Sequence, residues 1–135
     1  MERRTSLRSL GMWGLIGGAI GGVLNVMLHA FAAFGLGDPM AGDGGMGFMA
    51  IPIFMSFAAS VGPGAVAALV YAALERVTSR PTAIFLPVSG AFLLVSLAGP
   101  LTMEGATTVT VWALSTMHVI AGVSIVWGVV RGARP

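Results

Sequence analysis

The chain has 135 residues, 56% of them hydrophobic and 9% charged, no cysteine and a formal net charge of +2. Soluble domains carry about 25% charged residues, and one of this length could not hide so much apolar surface from water, so lipid is the expected solvent. The lack of cysteine removes disulfides, thiol catalysis, iron–sulfur clusters and cysteine-type zinc sites, and the small basic excess, grouped beside apolar runs, suits lipid head groups rather than nucleic acid.

A bilayer core about 30 Å thick is crossed by roughly 20 apolar residues in a helix. Four stretches meet that requirement: Gly11 to Leu36, Ala50 to Leu74, Thr82 to Gly99 and Thr107 to Val130. None alternates with the period of a barrel strand, and a helix satisfies its own backbone groups in hydrocarbon. The fold class expected is therefore all-α: an integral membrane four-helix bundle, forming a single transmembrane domain over residues 1–135.

The first span follows a basic start and contains Ala30-Phe31-Ala32, as a signal peptide does. Its apolar run exceeds the usual 7 to 15 or so residues of a signal, so it is expected to be retained. The loop GDPMAGDGGMGFM after it is glycine-rich and is expected to be flexible or partly re-entrant. In the second span, Ser60-Val61-Gly62-Pro63-Gly64 predicts a kink or break, because proline removes a backbone donor. Pro81 is well placed to open the third span, and Pro87, Ser89 and Gly90 predict a bend within it. Trp13, Trp112 and Trp127 read as interfacial anchors near span ends.

Orientation follows from the arginines. Arg3, Arg4 and Arg8 precede the first span, Arg76 and Arg80 lie between the second and third, and Arg131 and Arg134 follow the fourth, while Asp38, Asp43 and Glu104 occupy the other side. The positive-inside bias places both termini in the cytoplasm, N-in/C-in, with no sign of dual topology. Basic residues that are all arginine, with abundant Ala, Gly and Val, point to a bacterium, and so to its inner (plasma) membrane.

The first helix carries Gly11, Gly14, Gly18, Gly22, Asn25 and His29 on one stripe. Glycines four apart let another backbone approach, so Gly14, Gly18 and Gly22 are the helix-packing candidates, within one bundle or between copies. Asn25 and His29, with Ser115 and His118 of the fourth span, are the ligand or cavity candidates. Polar groups in hydrocarbon are costly and usually face the protein interior. Interhelical hydrogen bonding by neutral histidines is the bland alternative; a polar cavity or proton-sensitive path is the sharper one.

No cofactor is expected. Haem would need both imidazoles on one porphyrin, yet His29 lies roughly 8 Å from the depth of His118 by helix rise. Copper would draw on Met40, Met46, Met49 and Met103, whose spacing is irregular. No metal ligand set and no catalytic residue can be assembled: HExxH, a P-loop, a Ser-His-Asp order and paired intramembrane carboxylates are all missing, which argues against an enzyme.

The segments SRPTAIFLPVSGAFLLVSLAGP and TMHVIAGVSIV resemble a family of small bacterial four-helix membrane proteins of unknown function, common in actinobacteria. The resemblance covers about the C-terminal half and implies the same four spans, without an activity or site residues. Two functions compete. One is a non-catalytic module embedded in the lipid bilayer that packs with itself, as a homo-oligomer, or with a partner membrane protein through its glycine-rich helices. The alternative is a small transporter, channel or ligand-binding protein using the polar residues of helices one and four. A stable oligomer free of ligand would favour the first, and a wet cavity reaching Asn25 and His118 the second.

Overall fold

The computed structural model describes residues 5–134; Arg3 and Arg4 lie outside them. Helix α1 spans Leu7–Ala30 and runs on as a wide π turn over Phe31–Gly35, and a short hairpin pairs β1 (Ala41–Asp43) with β2 (Phe48–Ala50). Helix α2 spans Ile53–Val77, α3 Pro81–Ser96, α4 Ala98–Leu101 and α5 Thr108–Gly132. Counting the π turn with α1 and α4 with α3, four helices are long and apolar enough to cross a membrane. Large apolar side chains such as Phe34, Phe54, Phe92, Leu94 and Val123 are exposed on all four spans, as suits contact with lipid.

The first helix starts earlier than the hydropathy pattern suggests. The Ser6 hydroxyl accepts the Ser9 backbone N–H, an N-cap that satisfies one of the orphan donors of the first turn. Thr107 caps α5 in the same way, accepting from Thr110 N–H, and Pro81 occupies the first turn of α3. Of the kink or break expected at Pro63, the break does not occur: α2 is helical without interruption from Ile53 to Val77. The third span is the interrupted one, its helix giving way at Leu97 before the short α4. The glycine-rich loop is also more regular than expected. Asp43 Oδ1 accepts the N–H groups of Gly45 and Gly47, closing the hairpin turn, and Asp43 bridges by its backbone to Glu104.

Helix α1 is the axis of the bundle and packs against α2 on one side and α5 on the other. A Cβ added at Gly14 would lie 2.5 Å from the Gly64 carbonyl oxygen, and one at Gly18 would lie 2.8 Å from that of Ser60. At Gly22 the obstacle is the ring of Phe57, 2.6 Å away, which a side-chain rotation can relieve. Gly17 and Gly21 face α5 instead, against Ser124, Gly128 and Ala121. The stripe identified from spacing is thus half of a two-sided arrangement, and Gly11, at its end, has open space around it.

The described arginines gather at one end of the bundle. There Thr5 donates to Glu75 at 2.5 Å, Ser9 donates to the Gly132 carbonyl at 3.0 Å, and Trp13 meets Trp127 edge to face with Arg131 over its ring. Aromatic and cation–π contacts of this kind add about 1 kcal/mol each. Leu10, Ala68, Tyr71, Phe85, Ile125 and Val129 form the core just inside that end, and Ala32, Met40, Ala113 and Met117 form a second core near the hairpin.

Candidate functional site

Helix α3 is anchored most firmly at its start. Phe85 is buried against Tyr71, their rings 5.2 Å apart, and the Tyr71 hydroxyl bonds Thr82 at 2.6 Å. Beyond Phe85 the helix touches α5, with Leu93 beside Gly122, but buries little: 11% of the apolar window in α3–α4 is buried, against 39% in α1. The space left between α2, α3 and α5 is a cleft of about 1500 Å³, closed at one end by the hairpin and the segment Thr102 to Glu104. Binding pockets for small molecules are usually about 300 to 1,000 Å³, so this volume suits a long molecule or several chains side by side.

Its walls are apolar, supplied by residues such as Val66, Val70, Phe92, Leu93 and Ile125, with a few polar groups along the inner side. Asn25 and His118 are both among them. Asn25 is 3% exposed; its Nδ2 donates to Ser60 Oγ at 3.0 Å and to the Met117 carbonyl at 3.1 Å, tying α1 to α2 and α5. Both amide hydrogens are thereby used, and Oδ1 has no partner among the described residues. His118 Nδ1 lies 2.8 Å from the Leu114 carbonyl. A carbonyl only accepts, so Nδ1 carries the hydrogen, and in the neutral ring Nε2 presents a lone pair.

The other two candidates stand apart from the cleft wall. His29 is buried one turn beyond Asn25, with Nδ1 2.9 Å from Ser56 Oγ. Ser115 is half-buried, and its hydroxyl has no hydrogen-bond partner among the described residues. The pairs Asn25–Ser60 and His29–Ser56 are two rungs of one ladder, because residues four apart on α1 meet residues four apart on the antiparallel α2. Each such bond is worth about 0.6 kcal/mol within a membrane, rising to about 1.7.

Ser56 and Ser60 are site residues that no motif marked. The signal for them lay in Ser56, Ser60, Gly64, Ala68 and Tyr71, a small-and-polar stripe at helical spacing that is the buried face of α2. Pro63 lies off that stripe and, with Ala59, lines the cleft. It has no N–H to give the Ala59 carbonyl one turn back, so the helix presents a weakened hydrogen-bond ladder to the cavity.

The residues considered for haem and copper are not drawn together. His29 does not line the cleft that His118 lines; Met40 is sealed in the second core, while Met46, Met49 and Met103 lie around the hairpin end of the cleft. Among the described residues no group of three or more His, Asp or Glu side chains is placed to hold a metal ion.

Four helices able to cross a membrane, folded around a largely apolar cleft, define the class: a multi-pass helical membrane protein. Residues 5–135 match the model of a family of unknown function, DUF6069, and the chain belongs to that family. No curated protein and no solved structure matches it.

Proposed function

We propose that the protein is a small ligand-binding membrane protein, a carrier or receptor for a long apolar molecule held in the cleft between α2, α3 and α5. The observation behind this is the volume of about 1500 Å³ whose walls include both Asn25 and His118. A module that merely packs through its glycines would use them on another molecule, whereas Gly14, Gly17, Gly18, Gly21 and Gly22 all meet α2 or α5 of the same chain. The small buried share of α3 leaves an elongated ligand a lateral way in from the bilayer.

Mass spectrometry of the protein purified in a mild detergent is expected to show one apolar molecule retained in near-stoichiometric amount. Ala59→Trp, which places a large ring in the cleft, should abolish retention while leaving the helical content unchanged. Bulk lipid in equal amounts in both proteins would overturn the proposal.

We further propose that the arginine end faces the cytoplasm of a bacterium and that the hairpin faces outward across its plasma membrane, with both termini inside. Met46 is 84% exposed at the hairpin tip and Ser79 is exposed between α2 and α3. With no native cysteine, Met46→Cys should react with an impermeant thiol reagent in intact cells and Ser79→Cys should react only after lysis. The reverse pattern would invert the topology.

A further inference from the structure

Resting on the cleft as a ligand site, we propose that its occupant is a neutral long-chain alcohol whose hydroxyl donates to His118 Nε2. The polar groups along the inner wall are rich in acceptors. The Nδ1 hydrogen of His118 is given to Leu114, which leaves Nε2 as a lone pair in the neutral ring. Asn25 has spent both amide hydrogens, and the Ala59 carbonyl faces a proline. Of the hydroxyls that line the cleft, Ser60, Ser96 and Thr102 each give their hydrogen to a nearby backbone carbonyl and Ser56 is bonded to His29, so the free hydroxyl among the described residues is that of Ser89 on the opposite, α3 wall. On the inner wall, where His118 stands, a ligand acceptor would find little to bond, whereas a ligand O–H completes His118.

Charge narrows the class further. Among the described residues the charged side chains lining the cleft are Asp43 and Glu104, both at the hairpin end, and no arginine lines it. A carboxylate or phosphate head group would enter against like charge without a cation to pair it, and a charge carried to the depth of His118 would be strongly disfavoured. A hydroxyl carries no such penalty, and the apolar walls accept its chain.

Oleyl alcohol, its methyl ether and oleate separate these chemistries, because they share one chain and differ in the donor and the charge. Binding is measured on the full-length protein in detergent by ligand retained through size-exclusion chromatography. The alcohol is expected to bind about three- to tenfold more tightly than the ether, the worth of one hydrogen bond, and oleate least. His118→Leu should erase the preference for alcohol over ether, and His118→Gln, which keeps an acceptor, should retain part of it. Equal binding of alcohol and ether, a preference for oleate, or a preference that survives His118→Leu would each overturn the inference while leaving the cleft as a ligand site. Failure of all three molecules to bind would overturn the cleft itself. If His118→Leu does not fold, the comparison of alcohol with ether on the unsubstituted protein decides alone.

Discussion

Gly18→Leu is expected to destabilise the bundle by about 3 kcal/mol or more, at the upper end of what overpacking does and a large share of a typical folding free energy. The reason is the identity of the obstacle. A Cβ at this position would lie 2.8 Å from the Ser60 carbonyl oxygen and 2.9 Å from Val61 Cα, both backbone atoms that cannot rotate away. Helix α2 would have to retreat, and in doing so it would stretch the bond from Asn25 to Ser60. Gly22→Leu meets a Phe57 ring that can swing aside, so its effect should be smaller. Gly11→Leu supplies the control on the same helix, since nothing lies within 4 Å of its position. Leucine is also the better helix former by nearly 1 kcal/mol, which makes Gly11→Leu neutral or mildly stabilising. Thermal unfolding in detergent, followed by helical circular dichroism, should rank the three in that order; equal melting temperatures would show that close approach of α1 and α2 does not set the stability.

The four spans were legible because lipid imposes a single length and a single secondary structure on an apolar segment, and those constraints are written in composition. Contacts between helices are less legible. Gly14 and Gly18 announce a face by their spacing, but Gly17 and Gly21 carry an equally close face toward α5, and spacing alone does not say which neighbour each face meets. Pro63 does not break α2 for a related reason: a proline removes one hydrogen bond, and packing of Ser56, Ser60, Gly64 and Ala68 against α1 keeps the helix continuous across the gap. Asn25 and His118 could be picked out as costly groups in hydrocarbon, yet the cleft beside them could not. It arises from what α3 fails to bury, and an apolar helix reads the same whether it faces a partner, a ligand or lipid. The hairpin was hidden by its glycines, whose turn depends on Asp43 accepting two backbone N–H groups.

Asp38→Ala is expected to lower stability at neutral pH by about 3 kcal/mol, through hydrogen bonds that no motif advertised. The side chain is 8% exposed, between the π turn of α1 and the start of α5. Its Oδ1 accepts from Thr110 Oγ1 at 2.5 Å and from Met40 N–H at 2.9 Å, and its Oδ2 accepts from the Thr107 hydroxyl. Hydrogen bonds to a charged acceptor are worth about 1.5 to 3 kcal/mol, and the negative charge also sits at the favourable N-terminal end of a helix. Truncation would take the carboxylate acceptor from the buried Thr110 hydroxyl, leaving it the longer contact with Thr107, and would release Met40 from its positive φ of 45°, a conformation that needs such a tether. Burial pushes the Asp38 carboxyl up, but the bonds from Thr107, Thr110 and Met40 outweigh it and hold the group below its ordinary value. The folded state therefore binds this proton less readily than the unfolded chain does. Its contribution is complete above the unfolded value near about 3.9 and is lost as pH falls through the lower folded value. Asp38→Asn keeps the shape without the charge, so its melting temperature should lie below that of the unsubstituted protein at neutral pH and converge with it as acidification passes below the ordinary carboxylate range. A gap that stays constant over that range would mean that shape, and not the carboxylate charge, holds the hairpin end together.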